Sequence, residues 1–226
     1  MPRFLISALV LANAASAQAA ELRVPVTAFQ RVAASGSEDV TVIIGKTPSV
    51  TAVGPQERLD RLDIRVEGDT LKIGHNKGNW SNWSKEAVKI TVTMPALHEV
   101  RVSGSGDFTA DSGGGPAFKV ALSGSSDVNI SRIVSPSVTL ATNGSGDITA
   151  SGKCGALAVS ISGSGDMDLG GLKCADAVIA ISGSGDVIAY ATGTANVRLS
   201  GSGDVKVAGG AKCQSRKSGS GSVSCG

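Results

Sequence analysis

The peptide Gly-Ser-Gly-Asp, or a near variant of it, returns along this chain at Asp107, Asp127, Asp147, Asp166, Asp186 and Asp204, in steps of 20, 20, 19, 20 and 18 residues. Asp39, in Ser35-Gly36-Ser37-Glu38-Asp39, opens the series upstream, and Ser222, in Ser218-Gly219-Ser220-Gly221-Ser222, closes it without a carboxylate. A fixed interval of this length signals a structure built from stacked repeats. Aligning the units on the Asp exposes apolar pairs seven and five residues before it, such as Val100/Val102, Val120/Leu122, Val159/Ile161 and Val197/Leu199. A second set follows one and three residues after it, such as Phe108/Ala110, Val128/Ile130 and Val205/Val207. Alternation with period two is the strand signature, so each unit reads as strand, Gly-rich turn, strand, loop. One such unit cannot bury its apolar face alone. Stacking successive units about 4.8 Å apart closes a continuous interior. The expected fold is all-β: a single-stranded, right-handed parallel β-helix with coils of 18–20 residues, the hand following from the strong bias of parallel crossovers.

Composition sharpens this. Only 3 % of residues are aromatic while 41 % are apolar, so the core has to be built from Val, Ile, Leu and Ala, which suits a narrow interior. The 30 glycines imply many tight turns. The marker lapses for 68 residues between Asp39 and Asp107, although strand-like alternation persists there. Leu62-Asp63-Ile64-Arg65-Val66 and Leu71-Lys72-Ile73 flank a hairpin-like Glu67-Gly68-Asp69-Thr70, and Val88 to Met94 alternates as well. Irregular N-terminal coils are expected, with a loop projecting from His75 to Glu86 and regular repeats over about 98–226. The final unit places Ser215 and Lys217 where other units are apolar, as a polar C-terminal cap requires.

Residues 1–19 read as a secretory signal: Arg3, an apolar run from Phe4 to Ala12, and small residues in Ala17-Gln18-Ala19. Residues 20–226 then form one domain, periplasmic, secreted or at the cell surface. No later stretch is long and apolar enough for a membrane span. Without the signal segment the formal charge drops from +2 to +1, because Arg3 is the one charged residue it contains, and the remaining charges are scattered. With few aromatics and no basic block, nucleic acid is excluded as a partner.

Four cysteines in an exported chain allow three pairings. Cys154 and Cys174 each lie twelve residues before a marker Asp, so they occupy one position of adjacent coils, within disulfide reach. The preferred pairing is Cys154–Cys174 with Cys213–Cys225, the second pinning the terminal coil.

The aspartates Asp107, Asp127, Asp147, Asp166, Asp186 and Asp204 are weak candidate metal ligands, since a carboxylate ladder offers oxygen donors to calcium. The alternative gives them a structural role, with Ser and Asp side chains bonding nearby backbone N–H groups in Asx-type turns. Trp80 and Trp83, on a polar loop, are the ligand-binding candidates: such rings stack on sugars or anchor a protein partner. Against that, such loops often fold back and bury their rings on a neighbouring coil. His75 and His98 are the two histidines, and His98 is expected in a strand near the first regular coil. No Gly-x-Ser-x-Gly elbow with a base in view is present, and no catalytic residue or cofactor is expected.

The chain resembles the head GIN domain family of bacterial exported proteins, labelled auto-transporter adhesins. The resemblance rests on Phe29-Gln30-Arg31-Val32 leading into Ser35-Gly36-Ser37-Glu38-Asp39-Val40, on Val53-Gly54-Pro55, Leu59-Asp60, Val66-Glu67-Gly68-Asp69-Thr70-Leu71 and Val92-Thr93-Met94-Pro95-Ala96-Leu97, and on the Asp repeats. It implies a β-helical fold and an envelope or external location. The expected function is a non-catalytic binding or scaffold module, adhesin-like, for cell-surface carbohydrate or an envelope protein, compatible with a homo-oligomer. The alternatives are a polysaccharide-active β-helix enzyme and a calcium-stabilised structural module.

Overall fold

The computed structural model describes residues 19–76 and 87–226. The segment holding Trp80 and Trp83, and residues 1–18 of the predicted signal, lie outside the described residues. The N-terminal elements are β1 (Ala20–Val24), β2 (Arg31–Gly36), β3 (Asp39–Ile44), β4 (Ser49–Gly54), one helical turn α1 (Gln56–Leu59), β5 (Leu62–Glu67), β6 (Thr70–His75) and β7 (Lys89–Met94). The repeats supply β8 (Glu99–Gly104), β9 (Phe108–Ala110), β10 (Gly113–Gly114), β11 (Phe118–Gly124), β12 (Val128–Gly144), β13 (Ile148–Gly163), β14 (Met167–Gly183) and β15 (Val187–Gly201). The last three are β16 (Val205–Ala208), β17 (Lys212–Ser218) and β18 (Val223–Cys225). From β8 onward all pairings are parallel and join equivalent residues of successive units, forming a β-solenoid.

The alternating apolar positions point inward and stack. Val120, Leu140, Val159, Ile179 and Val197 are in register, and none is more than 3 % exposed. Fully burying each such side chain contributes about 1.5–3 kcal/mol. A neighbouring column runs Phe118, Val138, Leu157, Ala177, Ala195, with its larger side chains in the earlier coils. Two buried hydroxyls, Ser126 Oγ and Thr142 Oγ1, have no hydrogen-bond partner within this interior.

The two glycines of the motif are not equivalent. The first, as in Gly144, Gly163 and Gly183, has φ between +134° and +142°, and a Cβ there would sit about 2 Å from the carbonyl oxygen of the glycine one coil below. Only Gly meets both conditions at once. At the second glycine, as in Gly146, Gly165 and Gly185, a Cβ would also meet a carbonyl oxygen of the coil below at about 2 Å, but φ is not positive, and Glu38 and Ser126 fill that position in two of the coils.

The N-terminal region departs from simple stacking. β2 pairs with both β6 and β8, and β3 with both β7 and β9, all in parallel. The first coil in sequence, β2–β3, therefore lies between the coil formed by β6 and β7 and the first regular coil. Beyond it the end is covered by antiparallel strands: β5 on β6, β4 on β7 and β1 on β4. The expected hairpin is the β5–β6 pair, turning at Gly68 with φ +62°. At the other end β17 is exposed along most of its length, Lys217 included, and its basic residues blunt an edge that would otherwise invite strand addition.

Candidate functional site

The Asp corner forms a ladder of side chain to main chain bonds. Oδ1 of Asp127 accepts from the N–H of Asp147 at 3.1 Å, Oδ1 of Asp147 from Asp166 at 2.7 Å, and the same bond repeats up to Asp204. Ser222 closes the ladder, donating both its N–H (2.7 Å) and its hydroxyl (2.9 Å) to Asp204 Oδ1. These bonds hold the Asp204 carboxyl below the usual carboxylate range, the backbone donor first and the hydroxyl second. Asp176 is lowered in the same way by the hydroxyl and N–H of Thr194. The expected Asx-type turn is thus corrected in one respect: the donor belongs to the next coil, which stacking of the corners places against the carboxylate. Each of these carboxylates spends one oxygen on the fold, and among the described residues no three His, Cys, Asp or Glu side chains are grouped to hold a metal ion.

The cysteines pair as the register suggests. Cys154 and Cys174 are in register on β13 and β14 with Cα atoms 4.5 Å apart. Cys213 and Cys225 join β17 to β18 at 6.4 Å. Two such bonds suit an oxidising compartment.

A buried charge cluster escaped the sequence reading. Glu38 occupies the corner position that is Gly or Ser in the regular coils, and its side chain is 2 % exposed. Its Oε1 accepts from Arg58 Nη2 at 2.8 Å and lies 2.9 Å from His75 Nε2, while Oε2 accepts the Ser37 N–H at 3.1 Å. Arg58 comes from α1 and His75 from the end of β6, so the cluster fastens both elements to the first coil. A carboxylate in a Gly column was the available signal. His98, just before β8, is half-buried, and its N–H donates to the Gln30 carbonyl at 2.8 Å.

Among the described residues, an open groove of about 720 Å³ runs along one outer face. It crosses the rungs of β6, β2, β8, β11, β12 and β13, with Ala121, Ser123, Ala141, Asn143, Ser160 and Ser162 as its floor. The β5–β6 hairpin walls its N-terminal end, where the charged groups neutralise one another. Arg65 is paired with Asp63 and Glu67, and Lys72 with Glu67, which hold the Glu67 carboxyl below its ordinary range, Lys72 first. Arg101 is paired with Glu99 at 2.6 Å. Ser160 and Ser162 also line a second groove of about 430 Å³ that continues the face past Arg198 to Arg216 and Lys217. The two together run nearly the length of the solenoid. The residue six places before each Asp supplies much of this floor, and reading that column in the repeat alignment would have exposed it.

The family profile described as "Putative auto-transporter adhesin, head GIN domain" matches residues 28–211. Among solved structures, a putative adhesin from Bacteroides fragilis superimposes with a TM-score of 0.83 at 20 % identity, covering 93 % of this chain and 98 % of its own. A putative adhesin from Parabacteroides distasonis gives 0.74 at 18 % identity, covering 92 % and 97 %. A protein from the same organism described as a putative lipid binding protein gives 0.70 at 22 % identity, also covering 92 % and 97 %. At these identities the likeness establishes the fold alone. No protein of curated function matches the sequence.

Proposed function

Starting from the premise that this chain belongs to the head GIN domain family, we propose that it is a non-catalytic, exported binding module whose ligand lies along the grooved face. The observation that carries this reading is the groove itself: an open, continuous trough floored by small Ala, Ser and Asn side chains on a sheet held rigid by inter-coil hydrogen bonds. A preorganised surface loses little entropy on binding. The titratable groups at the walled end are engaged with one another, and His75 with Glu38, rather than poised as an acid and a base around a reacting centre. Trp80 and Trp83 are proposed as additional contacts, on the segment between β6 and β7.

The test is a glycan array and an envelope-protein pull-down with the intact protein and with Ala141→Trp, which fills the trough. A ligand whose retention drops at least tenfold with Ala141→Trp, and to a lesser degree with Trp80→Ala plus Trp83→Ala, supports the reading. An empty array and pull-down, or a ligand indifferent to Ala141→Trp, refutes it. Turnover of a polysaccharide by the purified protein would replace it with the enzymatic alternative.

A further inference from the structure

The C-terminal end of the grooved face carries charge that the protein does not neutralise. Arg198 on β15 and Arg216 on β17 are directly in register on adjacent parallel strands, both exposed. Among the described residues neither has an acidic partner, in contrast to Arg65, Lys72 and Arg101 at the other end. Strand spacing places the two backbones about 4.8 Å apart, so two like charges are stacked one rung from each other. Lys217 lines the same groove. An arrangement that repels itself when empty is relieved by an anion held between the two arms, and two guanidinium forks match the oxygens of a carboxylate in geometry as well as charge.

We infer that Arg198 and Arg216 form an anion subsite for the carboxylate of a linear acidic glycan, a uronic-acid polymer, whose chain runs along the solenoid axis over the small-residue floor. This inference rests on the binding-module reading and names its ligand class. Three features select that ligand. The groove continues unbroken from the arginine pair across Ser162 and Ser160 to Asn143, so an extended chain can lie in it with hydroxyl and amide groups beneath. The coil spacing is close to the rise of one sugar in an extended β-linked chain, so each rung can meet one sugar. Among the described residues the floor offers no projecting apolar side chain, which a bilayer surface would require, and no aromatic platform for nucleobases.

The experiment is calorimetric titration of the full protein with a homogeneous oligouronide of about eight sugars, the length at which rungs spaced as here span the face. Its fully methyl-esterified, neutral counterpart is run in parallel. Binding of the charged oligomer that weakens at least tenfold in Arg198→Ala or Arg216→Ala, weakens with added salt, and is unchanged in Lys206→Ala on another face supports the inference. Because both arginines are exposed the variants should fold, and Ser182→Trp, which obstructs the groove without removing charge, gives an independent check. Equal binding of charged and neutral oligomers, with both arginine variants unaffected, overturns the anion subsite and leaves the binding module standing. Binding to phosphatidylglycerol vesicles but not to the oligouronide overturns it in favour of a membrane surface. No binding of the oligouronide while the array returns another ligand for the groove overturns this inference alone, whereas an empty array takes both readings with it.

Discussion

Oδ1 of Asp39 accepts a hydrogen bond from the backbone N–H of Asp107 at 3.2 Å, although the two residues are 68 positions apart. The corner ladder is therefore unbroken in space where it is interrupted in sequence. The intervening chain leaves the first coil, lays one further coil and the antiparallel strands on its outer side, and returns to the inner side to begin the regular repeats. Asp39 itself donates its N–H to the Val88 carbonyl at 3.2 Å, the outermost coil offering a main-chain oxygen in place of a carboxylate.

If the ladder bond matters because Oδ1 accepts an N–H, and not because the side chain is charged, an amide serves as well. Asp147→Ala leaves the Asp166 N–H without its 2.7 Å acceptor and is expected to cost about 1 kcal/mol. Asp147→Asn should keep the acceptor, relieve repulsion within the stack, and match or exceed the parent in urea denaturation. An Asn variant as unstable as the Ala variant would contradict this account.

The first glycine of the motif combines a positive φ with a close approach to the coil below, whereas the second has the close approach alone. At Gly183, with φ +142° and the Gly163 carbonyl 1.9 Å from the site of a Cβ, alanine is expected to cost about 2–3 kcal/mol through backbone strain and coil displacement. Ser126→Gly, at a second-glycine position, should be neutral or stabilising because it removes a buried hydroxyl without a partner. Equal midpoints for Gly183→Ala and the parent would show that the coils can separate at little cost.

Most of the fold was legible because the repeat is a spatial fact written linearly: period, alternation and Asp register each fix one coordinate of the coil. Phe118, Val138 and Leu157 stack as their numbering implies. The N-terminal order was not legible, since nothing in Leu71 or Ile90 states whether their coil lies above or below Val32 and Val40. That order is set by pairing between distant strands. The disulfides followed from register, whereas the Glu38–Arg58–His75 cluster joins three elements brought together only by that unpredicted order. The grooved face was implicit in the Ala and Ser columns, but the unneutralised arginine pair at its end depends on which other charges come near, which only coordinates supply.

Thr142 shares a column with Val102, Leu122, Ile161, Ile181 and Leu199, and its hydroxyl is buried with no partner. Thr142→Val keeps the shape and removes the unsatisfied group, and is expected to stabilise the protein by about 1 kcal/mol. Thermal unfolding monitored by circular dichroism measures it. A loss of stability would indicate that the hydroxyl finds a bridging water.

The terminal coil brings little beyond Ala211, Val223 and Cys213 against the core, so the Cys213–Cys225 bond should account for much of its order. Replacing both cysteines by Ala is expected to raise amide exchange across Lys212–Ser218 while leaving Val159 and Ile179 protected, since the Cys154–Cys174 bond and the stacked core secure those coils. Uniform deprotection of the whole solenoid would show instead that the cap nucleates the coils beneath it.

Acid should act through the carboxyls whose titration the fold depresses, Glu67 in the β5–β6 hairpin, Asp176 and Asp204. The Asp204 carboxyl is depressed by the two donors of Ser222, and in the unfolded chain it returns to an ordinary value of about 3.9. A group whose folded value is the lower one binds fewer protons when folded, so its contribution is fully present above the unfolded value and is lost as the pH falls through the folded one. Asp176, depressed by Thr194, adds to the effect with the same sign. The contribution of these carboxyls should therefore be fully present above about pH 5 and decline below about pH 4. Asp204→Asn together with Asp176→Asn, which retain acceptors but cannot titrate, should make that decline shallower, the part carried by Glu67 remaining. Unfolding midpoints measured for parent and double variant across this range test the assignment, and parallel acid slopes for the two proteins would place the sensitive carboxylates elsewhere.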